Sequence, residues 1–166
     1  MNKLVIVVLG NQNAGKSTTW HTLFKRKVKT GKKERPLDLS KTERASVFLI
    51  NGSPEETKIS VSERLRDQNP NIVLCSIQYI EDAKKTIDYF IDHEYQFFVH
   101  WLNPGFHDEN GVEDIFGFES YILRDGESQF FIKNGRENLE RRVAEMNEFL
   151  YSWAKKQKLL YPSKNT

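Results

Sequence analysis

The sequence predicts an α/β fold, with a mainly parallel sheet, helices on both faces and an antiparallel hairpin at one edge. Three observations carry this. Four short apolar runs recur along the 166 residues, each rich in β-branched or aromatic residues and about the length of a buried strand. Amphipathic stretches of helical period lie between and after them. Strands that alternate with helices build parallel sheets, because right-handed crossovers carry the helices onto the two faces.

The runs are "LVIVVLG" at 4–10, "ASVFLI" at 45–50, "NIVLCSI" at 71–77 and "YQFFVHWL" at 95–102. They are continuous rather than alternating, as in strands covered on both faces. Residues 80–92 place Ile80, Ala83, Ile87, Phe90 and Ile91 on one helical face. Residues 138–157 place Leu139, Val143, Met146, Leu150 and Trp153 at steps of four and three, the best-defined amphipathic element of the chain. "NGSPEET" predicts a helix start, with Ser53 as cap, Pro54 in the first turn and Glu56 completing a capping box. Residues 28–44 are polar, carry Gly31 and Pro36, and read as a loop or an edge strand leading into 45–50. The acidic stretch 103–118 reads as a long loop with at most one helical turn. "ILRDGESQFFIK" predicts a hairpin around Asp125-Gly126, a pair suited to the positive φ angles of a tight turn. One domain over 1–160 is expected, with a frayed tail at 161–166.

Composition narrows the class. Hydrophobic residues make up 38% and charged residues 29%, and no segment approaches the roughly eighteen apolar residues of a membrane helix. The start "MNKLVIVVLG" has too short an apolar run for a signal peptide and passes directly into a glycine-bearing loop. It reads as a buried first strand. Cys75 is the single cysteine; it is expected to pack in the core and suits a reducing cytoplasm. A net charge of +2 implies no polyanion partner by itself, but residues 25–35 hold seven Lys or Arg against one Glu. Such a stretch is a candidate contact for a nucleic acid or an acidic protein, and equally a solvated loop. It lacks the interleaved aromatics of a single-strand stacking platform.

The chemistry is concentrated just after the first run. Gly10, Asn11, Gln12, Asn13, Ala14, Gly15, Lys16 and Ser17 fit G-x-x-x-x-G-K-[ST], with Thr18 and a helical pattern following. Glycines let a chain bend around a phosphate without Cβ clashes, so that backbone N–H groups reach its oxygens. The helix start then contributes free donors and partial positive charge. On these residues the chain resembles the P-loop NTPases, whose Walker A motif it carries within residues 1–25. The resemblance implies a P-loop fold, phosphate binding by residues 10–18, Lys16 reaching the β- and γ-phosphates, and the Ser17 hydroxyl on Mg²⁺.

Which member it resembles is less marked. An apolar strand ending in Asp would hold the metal's water, but the strands here end in Asn51, near Ser76 and Gln78, and in Asn103. Asn51 is the candidate for the acidic position, as a metal-side residue together with Ser17. Glu55 and Glu56 lie nearby and are explained equally by a helix's first turn. A Ras-like reading fits the length, a strand pair within 36–50 and the last helix. Against it, "NGSP" stands where D-x-x-G should follow the strand, and N-K-x-D is absent. Small P-loop kinases fit better, with the acceptor in the crevice at the carboxyl ends of the strands. Crevice candidates are Asn51, Ser76, Gln78, Tyr79, Asn103 and His107, and residues 73–104 are loosely similar to a nucleoside monophosphate kinase stretch. Arg136, Arg141 and Arg142 are candidates for neutralising a transferring phosphoryl group, or a solvated helix face. His100 reads as a hydrogen-bonded core histidine; His107 and Asp108 are better placed for chemistry. The four histidines show no metal-ligand spacing with Cys75.

The expectation is a cytoplasmic, Mg²⁺-dependent protein that binds a nucleoside triphosphate, ATP in preference to GTP. Its activity would be transfer of the γ-phosphoryl group to a small acceptor such as a nucleotide. The alternative is a nucleotide-dependent switch or weak ATPase or GTPase acting through a protein or nucleic-acid partner. A third reading is a degenerate NTPase that binds without turnover.

Overall fold

The computed structural model describes residues 2–164. Every residue of the first strand, β1 (Leu4–Gly10), is buried, as a strand covered on both faces requires. β4 (Ile72–Gln78) and β5 (Gln96–Leu102) flank it in parallel, placing Gln78 opposite Gly10 and Trp101 opposite Leu9. Outside them, β3 (Glu43–Ile50) runs parallel to β4 and β6 (Gln129–Lys133) parallel to β5. β2 (Arg35–Asp38) closes the β3 edge in antiparallel pairing, giving the order β2-β3-β4-β1-β5-β6. The fold is α/β with a mostly parallel mixed sheet.

The antiparallel edge is therefore not where "ILRDGESQFFIK" was expected to put it. Gly126 has φ +74° while Asp125 keeps a negative φ, so the two-residue turn that needs both angles positive does not form. Asp125 closes a 3-10 turn (Leu123–Asp125) instead, its carboxylate accepting from the backbone N–H groups of Glu127 and Ser128. The segment before it forms α5 (Phe118–Ile122), a crossover that returns β6 parallel to β5.

Side chains alternate along β1 between two cores. Leu4, Ile6 and Val8 pack with Trp20 and Leu23 of α1 (Lys16–Phe24) and with Val143, Met146, Leu150 and Trp153 of α6 (Leu139–Lys156). Val5, Val7 and Leu9 pack with α3 (Val61–Leu65), α4 (Lys84–Asp92) and α5 on the other face. Cys75 lies buried in this second core as a free thiol. Trp20 is fully buried and donates its indole N–H to Ser76 Oγ at 2.8 Å, tying α1 to β4; a buried indole needs such a partner.

The start at Ser53 forms only the four-residue α2 (Pro54–Thr57), with Ser53 Oγ accepting from the Glu56 N–H. The full capping box is at Ser60 and Glu63, opening α3. Tyr161–Pro162 does not fray: it is a short strand, β7, antiparallel to β3, and the Ser163 N–H donates to the Thr42 carbonyl. The rest of the expected tail, Asn165 and Thr166, lies outside the described residues.

Candidate functional site

The loop after β1 is built for close approach. A Cβ at Gly10 would lie 2.8 Å from the Ala14 Cβ, and the backbone turns back through positive φ at Asn13 (61°) and Gly15 (102°) before α1 begins. Gly15 tolerates that angle without Cβ strain. Ala14 sits at the bottom, 1% exposed, where a Cβ on Gly105 would come within 2.5 Å of its own. The Phe106 N–H donates to the Ala14 carbonyl at 3.0 Å, and the Gly135 N–H to the Pro104 carbonyl at 2.7 Å. Asp108 accepts from Asn11 Nδ2 at 3.0 Å and from the Gly105 N–H at 2.8 Å. The loops following β1, β5 and β6 are thus locked together by backbone contacts.

Lys16 is the first residue of α1 and is 7% exposed. Its ammonium donates to the carbonyls of Gly10 (3.1 Å) and Asn11 (2.7 Å) and lies 3.4 Å from Glu56 Oε1. Burial pulls its pKa below the ordinary lysine value, while the Glu56 carboxylate pushes the other way. No side chain caps α1, so its first amides and the positive end of its dipole have no side-chain acceptor.

A cleft of about 540 Å³ runs over this point, lined by residues 13–18, Asn51, Gly52, Glu56, Phe106, His107, residues 135–139 and Arg142. Of the motif, Asn13, Ala14, Gly15, Lys16, Ser17 and Thr18 face it; Gly10 and Asn11 serve as acceptors for Lys16 behind it. Ser17 and Thr18 are exposed in the cleft, and Gln12 is exposed outside it.

Asn51 reaches the same cleft although β4 separates its strand from β1. Its backbone N–H donates to Thr30 Oγ1 at 2.9 Å and its Nδ2 to the Val28 carbonyl at 3.1 Å, leaving Oδ1 buried with no partner. Glu55 and Glu56, adjacent in sequence, have separate fates. Glu55 is buried, accepting from the Gln78 N–H and from Thr86 Oγ1, and burial raises its pKa. Glu56 faces Lys16, with Ser53 Oγ donating to it at 2.7 Å.

Most other crevice candidates are structural. Ser76 holds Trp20, the Gln78 backbone holds Glu55, and Tyr79 donates to Asp114 at 2.6 Å while stacking near Trp101. Asn103 exchanges two hydrogen bonds with the Val112 backbone. Asp108 braces the loops rather than standing free. Only His107 joins Asn51 in the cleft. His100 is 1% exposed, but neither ring nitrogen has a hydrogen-bond partner, unlike the bonded core histidine expected. Burial, then the charge of Lys133, lower its pKa to about 4. The three arginines do not share one solvated face. Arg136 and Arg141 are exposed, whereas Arg142 is buried at the cleft wall, because helical spacing sets it next to Val143 and Met146.

Sequence reasoning missed the bracing glycines Gly105 and Gly135, the exposed ring of Phe106 and residues 137–139. Only the glycines carried a signal, as close-approach residues in loops. Among the described residues there is no group of three His, Cys, Asp or Glu side chains able to hold a metal by themselves, and no helix is long and apolar enough to cross a membrane. No protein-family model matches this chain, and neither does any curated protein.

Proposed function

We propose that the cleft binds the polyphosphate of a nucleoside triphosphate with Mg²⁺ and transfers its γ-phosphoryl group to a small acceptor such as a nucleotide. The observation that carries this is the buried ammonium of Lys16 at the uncapped start of α1, with the Glu56 carboxylate 3.4 Å away on the cleft side. A buried lysine held against two carbonyls at the positive end of a helix is poised for an anion. Here the protein's own carboxylate provides one.

Lys16 and the first amides of α1 would hold the β- and γ-phosphates and offset charge as the bond from γ-phosphorus to the bridging oxygen breaks and the acceptor oxygen bonds to phosphorus. Asn51, whose Oδ1 is buried without a partner, and the exposed Ser17 line the same cleft and carry oxygens as candidate ligands. They suit Mg²⁺, which takes few protein ligands beside phosphates and water. When bound, Mg²⁺ supplies neutralisation of phosphate charge. A cytoplasmic location accompanies this reading.

Lys16→Ala tests it. Triphosphate affinity, measured by calorimetry with Mg²⁺, should fall at least about a hundredfold with the unfolding midpoint retained; unchanged affinity rejects the assignment. Transfer of labelled phosphate to a panel of nucleosides and nucleotides tests the kinase step.

One observation favours a second reading, a nucleotide-dependent switch. Asn51 joins the cleft to Val28 and Thr30 of the basic segment, where Lys25, Arg26, Lys27, Lys29, Lys32 and Lys33 are exposed. Triphosphate-dependent protection of residues 25–35 from trypsin, with no acceptor phosphorylated, selects the switch and its nucleic-acid or acidic-protein partner.

A further inference from the structure

The sheet has two unlike edges. β2, at one, carries Arg35, Pro36 and Asp38; proline and charge are what keep an edge strand from pairing with another chain. β6, at the other, reads Gln-Phe-Phe-Ile before its first charge at Lys133. Its register with β5 runs from Phe98–Gln129 to Leu102–Lys133, and the Asn103 N–H donates to the Lys133 carbonyl. Main-chain groups of successive strand residues face opposite sides. Gln129, Phe131 and Lys133 therefore turn theirs to β5. Phe130 and Ile132 turn theirs outward, where no strand meets them among the described residues. Phe131 leaves 40% of its surface exposed and Ile132 leaves 55%.

Whatever pairs here must bring an extended backbone and apolar side chains, and the strand is its own complement. In an antiparallel pairing about a two-fold axis at Phe131, Phe130 and Ile132 of one copy exchange main-chain hydrogen bonds with Ile132 and Phe130 of the other. Phe131 then faces Phe131 in the close non-hydrogen-bonded pair, each Phe130 faces an Ile132, and each Gln129 faces a Lys133. Charge favours the same orientation. Between residues 125 and 136 the acids, Asp125 and Glu127, come before the strand, and the bases, Lys133 and Arg136, come at its end or after it. Antiparallel approach sets the acidic start of each strand toward the basic end of the other; parallel approach sets like against like. We propose that β6 is a homodimer interface, where two copies of this chain join their sheets edge to edge.

Sedimentation velocity of the full chain over a concentration series tests the inference. The expected result is a monomer–dimer equilibrium, with amide exchange at Phe130 and Ile132 slowing as the dimer forms. The amides of Gln129 and Phe131, already turned to β5, should change less. Phe131→Asp and Phe131→Lys each set like charges opposite one another and should each weaken dimerisation at least about tenfold. An equimolar mixture of the two should restore it, because residue 131 then meets its opposite charge. A monomer at every concentration, a dimer indifferent to both substitutions, or a mixture that stays monomeric overturns the proposal. Should either variant misfold, exchange on the unaltered chain still decides: concentration-dependent protection that spares Phe130 and Ile132 overturns it too.

Discussion

Glu56 places a carboxylate oxygen 3.4 Å from the ammonium of Lys16, while its neighbour Glu55 turns away to accept from the backbone N–H of Gln78 at 2.8 Å. One carboxylate stands where the proposed anion would sit, and the other ties α2 to β4 and α4. The two residues therefore respond differently to substitution.

Glu56→Gln removes the competing charge. The Glu56 side chain is 31% exposed, so solvent screens the pair, and its loss should tighten binding of inorganic tripolyphosphate without metal by about two- to fivefold. Calorimetry reads this; weaker binding would mean that Glu56 supports the anion rather than rivals it. Glu55→Ala should instead cost about 1–3 kcal/mol of stability in urea unfolding, since it strands the Gln78 N–H and the Thr86 hydroxyl.

Gly105→Ala should damage both stability and affinity. Its Cβ would meet the Ala14 Cβ at 2.5 Å and the Ala14 Cα at 2.8 Å, and overpacking against backbone costs about 1–3 kcal/mol. Gly126→Ala is the control. Its φ of +74° brings strain of about 1 kcal/mol, but it has open space around it and lies away from the cleft. Equal triphosphate affinity in both variants would separate the bracing from binding.

His100 should make stability fall with acid. Its folded pKa of about 4 is below the ordinary 6.5, through burial first and the Lys133 charge second. The unfolded chain thus takes up a proton that the folded one refuses. Stability is intact above the unfolded pKa and is lost as pH falls from about 6.5 to about 4, by roughly 3 kcal/mol. His100→Leu should flatten that part of the unfolding profile relative to the unaltered chain; parallel profiles for the two would refute the argument.

The parallel sheet was legible because its strands are continuous apolar runs, and α4 and α6 because their apolar faces repeat at helical spacing. The edge was not. Asp125-Gly126 has hairpin chemistry, but turn residues bend a chain without fixing the next strand's direction; Phe118 and Ile122, buried against the second core, decide that. α3 was missed although Ser60 and Glu63 spell its start, since five residues carry too little periodicity. In the candidate site the turn that joins β1 to α1 was readable from its glycine spacing. The division between Glu55 and Glu56, and the burial of Arg142, depend on how α2 and α6 are docked.

The bracing of Ala14 by Gly105 and Gly135 has a thermodynamic corollary. A recess fixed by main-chain contacts from three loops is preorganised, so the proposed anion would bind at little cost in conformational entropy of the chain. Any motion coupled to binding of the proposed anion would then fall to the part of the cleft near Asn51. There, Asn51 meets residues 28–30 through two hydrogen bonds, one from its backbone N–H and one from its side-chain amide.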